Sequence, residues 1–80
     1  MVTPQQIQDW IAANLPCSYL KVDGDGHHFE AVIVSDEFAG KMLVARHQRV
    51  YQALGERMKA EIHALSMQTL TPAEWEAKRG

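Results

Sequence analysis

The chain has 80 residues, of which 46% are hydrophobic, 22% charged and 8% aromatic, and its net charge is −2. That length allows one domain with a modest core, expected over residues 1–80, and the composition excludes a disordered chain. A single cysteine, Cys17, excludes an internal disulfide and a four-cysteine zinc site.

Met1–Gln8 shows neither a positive region nor an apolar run, so no secretion signal is expected. Apolar runs such as Ala31–Val34 are too short to span a bilayer, and a reducing cytoplasm is the expected compartment. Residues 3–14, TPQQIQDWIAAN, read as a helix. Thr3 caps it, Pro4 suits the first turn, and Gln6 closes a capping box. Ile7, Trp10 and Ile11 share one face, and Pro16 disfavours helical geometry at Leu15.

CSYLKVD (17–23) and HFEAVIVS (28–35) carry strand signals, and the Asp-Gly and Gly-His steps between them fit a hairpin. SDEFAGK (35–41) reads as a loop in which Gly40 permits left-handed geometry. From about Met42 a helical period begins, with Leu43, Val44, His47, Val50, Tyr51, Leu54 and Met58 near one stripe; Gly55 weakens or ends it. IHALSMQTL (62–70) is a third strand. TPAEWEAK (71–78) repeats the opening device, with Thr71 as cap, Glu74 closing the box and Trp75 packing inward.

The order α-β-β-α-β-α predicts an α+β domain. The first two strands run antiparallel and the long helix crosses over to the third, giving a three-stranded mixed sheet with helices on one face.

Charge is uneven along the chain. Residues 1–40 set Lys21 against Asp9, Asp23, Asp25, Glu30, Asp36 and Glu37, a balance of −5. Residues 41–59 set Lys41, Arg46, Arg49, Arg57 and Lys59 against Glu56, a balance of +4. A basic segment in an acidic chain points to an anionic partner or to a solvated helix face. Within it, Arg46, His47 and Arg49 span one turn, from which some can project toward phosphate.

The segment DGDGHHFEA (23–31) concentrates acids, glycines and histidines. A calcium loop beginning at Asp23 would need Glu at the place held by Val34, and the glycine spacing does not match a phosphate loop. What remains is a tight turn followed by His27 and His28, whose side chains point to opposite faces if the strand includes both. His63 stands between Ile62 and Ala64, where an apolar residue would be expected; a lone strand histidine is more often half-buried and hydrogen-bonded than a ligand. Brought together with His27 or His28, it would supply two imidazoles. Two ligands are too few for a closed zinc site but enough for half of one shared with another protein. Cys17 reads as a small core residue, and no catalytic motif is present, so no enzyme is expected.

Three segments together resemble the BolA family, its short IbaG-like members in particular. They are F-x-G-x-x-x-V-x-R-H-Q-x-V-Y at Phe38–Tyr51, H-A-L-S at His63–Ser66, and T-P-x-E-W at Thr71–Trp75. The resemblance covers about Pro4 to Lys78 and implies a class II KH-like fold. It also implies partnership with monothiol glutaredoxins in iron–sulfur cluster assembly, trafficking or iron sensing. In that arrangement a [2Fe–2S] cluster is shared between the glutaredoxin cysteine, glutathione and two ligands from the BolA-like protein; alone, the chain carries no cofactor. One ligand is the histidine matching His63 and the other comes from the first hairpin loop. His28, which precedes the same Phe29 as a histidine in relatives, is the choice there, with His27 its rival.

The family also implies DNA binding and transcriptional control, through Gly40, Lys41, Arg46, His47 and Arg49. KH-type recognition uses a G-x-x-G loop, of which Ala39–Met42 supplies only Gly40. Self-association of the free protein is left open.

Overall fold

In the computed structural model, which describes residues 2–79, the hairpin and the crossover form as the pattern predicts. Met1 and Gly80, the ends of the expected 1–80 unit, lie outside the described residues. Helix α1 spans Pro4–Asn14. Its capping box is complete: Gln6 N donates to Thr3 Oγ1 at 3.2 Å, and Thr3 N donates to Gln6 Oε1 at 2.9 Å. The helix stops where Leu15 turns extended ahead of Pro16. Ile7 and Ile11 are fully buried along its apolar stripe.

Strands β1 (Tyr19–Gly24) and β2 (His28–Val34) pair antiparallel, and β3 (Ala64–Leu70) joins β2 in parallel, giving the order β1-β2-β3. Strand alternation sorts the side chains. Leu20 and Val22 of β1, Phe29, Ala31 and Ile33 of β2, and Leu65, Met67 and Thr69 of β3 share the core face. Tyr19, Lys21, Asp23, His28, Glu30, Val32, Ser66 and Gln68 lie on the other face. Helices α1 and α2 (Leu43–Leu54) cover the core face, and Phe38, from a single 3₁₀ turn at Asp36–Phe38 within the expected loop, is fully buried beside them. Gly40 has φ 76°, the left-handed conformation expected of it.

The stripe on α2 is narrower than its periodicity suggested. Val50, Ala53 and Leu54 are buried, whereas Leu43, Val44 and Tyr51 are exposed. Successive residues turn about 100° around a helix, so Val44 and Tyr51 fall beside the buried strip rather than within it. Gly55, at φ 61°, ends the helix, and the chain makes one further turn, α3 (Arg57–Ala60), which the pattern had merged with α2. Met58 reaches the core from that turn.

Helix α4 (Pro72–Arg79) buries no residue fully. Its box forms as expected, with Glu74 N donating to Thr71 Oγ1 at 3.1 Å and Thr71 N to Glu74 Oε1 at 2.9 Å. Trp75 is half-buried and stacks on Tyr19 at 4.9 Å, on the sheet face opposite α1 and α2. Helix α4 thus departs from the expected single helix-bearing face, and its tryptophan packs on the sheet's outer face instead of inward.

Candidate metal centre

The hairpin loop is organised by Asp25. Its Oδ1 accepts from His27 N and His28 N, each at 2.9 Å, and its own N–H donates to His28 O at 3.2 Å. Those bonds, from His28 first and His27 second, hold the Asp25 carboxyl below its ordinary range because they favour the charged form. Gly26 takes φ 102°, and Gly24 lies so close to β2 that a Cβ there would stand 2.5 Å from both the His28 oxygen and Phe29 Cδ1. The two glycines and Asp25 therefore fix the turn. Asp25 was not singled out from the sequence; the signal was a short acid placed two and three residues before backbone N–H groups in a glycine-bearing turn.

This turn decides which histidine meets His63. His28 is the first residue of β2 and pairs with Ala64, on the face that also carries Glu30. One step earlier on both strands, alternation turns His27 and His63 to the opposite face. Their ring centroids lie 6.0 Å apart at 40°, both side chains being exposed. With metal–nitrogen bonds of about 2 Å and tetrahedral geometry, two imidazoles on one ion sit about 5 Å apart between centroids. The two exposed rings would have to close by about 1 Å to place a nitrogen each on one such centre. Among the described residues, no cluster of three or more His, Cys, Asp or Glu side chains surrounds a metal position. Two exposed imidazoles are fewer than the donors a closed metal site uses.

Cys17 is remote from this pair. Its thiol donates to Leu15 O at 3.3 Å beside the core, and burial first, then the Glu37 charge, push its pKa up, with Arg49 opposing. A thiol so placed is a poor nucleophile.

The basic segment is largely engaged within the molecule. The Arg46 guanidinium forks onto Glu74, with Nη1–Oε1 at 2.6 Å and Nη2–Oε2 at 3.2 Å, and also donates to the carbonyls of Thr69 and Lys41. Arg49 donates to Glu37 Oε1 at 2.8 Å and to Asn14 O at 3.0 Å. The His47 Nε2 atom is buried without a hydrogen-bond partner among the described residues, so that nitrogen does not face solvent. Gly40 is exposed, and Lys41, half-buried, has no ion pair among the described residues.

A sequence signature described as "BolA-like protein" matches residues 12–74. A Haemophilus influenzae protein named "DNA-binding transcriptional regulator BolA" is 35% identical over an 88-residue alignment, covering 98% of this chain and 85% of that protein. "Acid stress protein IbaG" of Escherichia coli is 37% identical over 75 residues, covering 92% and 89% respectively. Among solved structures, a bolA protein homologue from Coxiella burnetii superposes with a TM-score of 0.87 at 48% identity, covering 95% of this chain and 99% of that one.

Proposed function

The chain belongs to the BolA-like family, and from that premise we propose that it is a non-enzymatic partner of a monothiol glutaredoxin, with which it holds a [2Fe–2S] cluster as shared cargo. The observation carrying this reading is the His27–His63 pair, two exposed rings 6.0 Å apart without a third ligand among the described residues. Imidazole can replace cysteine on one iron of such a cluster, so the donors have the right chemistry. Glutaredoxin and glutathione would complete the set, as the family resemblance implies. His28, on the other sheet face, serves as the internal control. The reading places the protein in a reducing cytoplasm, where Cys17 stays a free thiol.

The test is anaerobic mixing with a monothiol glutaredoxin, [2Fe–2S] cluster and glutathione, followed by visible circular dichroism. A spectrum distinct from that of glutaredoxin alone is expected, lost in His27→Ala and His63→Ala and kept in His28→Ala. An unchanged spectrum, or indifference to His63→Ala, rules the reading out.

A second reading is DNA binding, favoured by the name of the Haemophilus influenzae relative. Arg46 and Arg49 would then have to leave Glu74 and Glu37 to reach phosphate. Affinity for duplex DNA should fall with salt at a log–log slope of about −0.9 per phosphate contacted, and a flat response excludes it.

A further inference from the structure

The two edges of the sheet are finished differently. On β1 the outward N–H of Val22 donates to Gln8 Oε1 of α1 at 3.2 Å, and the strand carries Lys21 and Asp23, charges that discourage pairing with another chain. On β3 the parallel pairing settles which groups face out. Leu70 O accepts from Ser35 N at 3.0 Å, so Leu70 and, by alternation, Gln68, Ser66 and Ala64 turn their backbone toward β2. Leu65, Met67 and Thr69 turn theirs outward. The Thr69 carbonyl is taken by Arg46 Nη1 at 3.0 Å, with Glu74 locked onto the same guanidinium, so this end of the edge is plugged.

The other end is open. Among the described residues nothing outside the sheet bonds the backbone of Leu65 or Met67. The strand ALSMQTL has no charge, no proline and no bulge, the usual devices that protect an edge. This open stretch begins two residues after His63.

We infer that the edge at Leu65 and Met67 receives an extended, uncharged segment of the protein that completes the ligand set on His27 and His63. The inference rests on the cluster-sharing reading and names the surface that reading lacks. Position argues for this occupant: a protein with ligands on His63 already covers that end of β3, and its backbone can continue along the open edge. A second copy fits less well. Two-fold pairing centred on Met67 sets Leu65 of one copy against Thr69 of the other, where Arg46 and Glu74 already sit. Pairing centred on Ser66, which uses the open groups, brings that plugged end against the other copy's His63. The added strand would contribute main-chain hydrogen bonds, while the imidazoles fix its register.

The experiment measures amide hydrogen exchange in this chain, alone and with a monothiol glutaredoxin carrying cluster and glutathione, beside the dichroism of the same samples. The Leu65 and Met67 amides are expected to slow by about tenfold or more only in the mixture. Ser66→Lys puts a charge on this edge opposite Glu30, so it folds; it should weaken the complex by about tenfold, a change of about 1.4 kcal/mol. Asp23→Lys on the far edge should leave the affinity unchanged. A mixed cluster spectrum with both amides still fast overturns the docking edge and leaves cluster sharing intact. Slowing that depends on this chain's own concentration, without glutaredoxin, overturns the assigned occupant in favour of a second copy. No mixed spectrum and no slowing overturns both proposals.

Discussion

Asp25 does its work with a carboxylate oxygen that accepts from two backbone N–H groups. Asn at this position keeps an accepting oxygen, whereas Ala removes it. Asp25→Ala is therefore expected to abolish the nuclear Overhauser contact between the His27 and His63 rings, and Asp25→Asn to retain it. If the contact survives in Asp25→Ala, the glycines alone hold the turn. Gly24 is the stricter constraint. An added Cβ meets a backbone oxygen and a core ring, each at 2.5 Å, and neither can move aside cheaply. Gly24→Ala should cost about 1–3 kcal/mol, read as a lowered urea midpoint at constant slope. The glycines and both histidines were legible in the sequence as a turn followed by two candidate ligands. The choice between His27 and His28 was not, because it depends on where strand pairing starts, one residue after His27, and a one-residue slip exchanges the faces.

Among the elements, α4 is held by surface contacts rather than by a core: the Arg46–Glu74 fork, the Trp75–Tyr19 stack and a Lys78–Gln68 hydrogen bond at 2.6 Å. The Arg46 hydrogen bonds, chiefly, draw the Glu74 pKa from 4.5 to about 2. A carboxyl whose folded pKa is depressed contributes stability above its unfolded pKa and loses it as pH falls through the folded value. Docking of α4 should thus weaken as pH drops from about 4.5 toward about 2. Trp75 fluorescence follows it, since the ring leaves Tyr19 when the helix undocks. Glu74→Gln should flatten the change in that window, and an unaltered acid transition in this variant would show that the fork does not hold the helix. Both capping boxes were legible in the sequence because they are local, their partners three positions apart. Arg46 was not: its partner lies 28 residues away, so a side chain that reads as a free cation is in fact a strut. The same limit applies to α2, where period marks an apolar stripe but not how much of the sheet lies beneath it, so Leu43 and Val44 read as core and stand in solvent.

For the whole molecule, 80 residues imply a stability of roughly 4–12 kcal/mol. That margin rests on a core built around Ile7, Ile11, Phe29, Ile33, Phe38 and Leu54, each at most 1% exposed. Phe29→Ala should cost about 3–5 kcal/mol, enough to remove much of the margin and to unfold the chain at low urea. The imidazoles obey a different rule. His27 and His63 are exposed and outside the core cluster, so truncating either should shift stability by no more than about 0.5 kcal/mol. Phe29 is next to His28 and against Gly24, so the rigid core begins where the exposed histidine pair ends, and fold and proposed site can be perturbed separately. Urea midpoints of Phe29→Ala, His27→Ala and His63→Ala, measured beside cluster dichroism, test that separation. Loss of the cluster signal at a wild-type midpoint identifies His63 as a ligand. A midpoint falling as far in His63→Ala as in Phe29→Ala would instead make the histidine part of the scaffold.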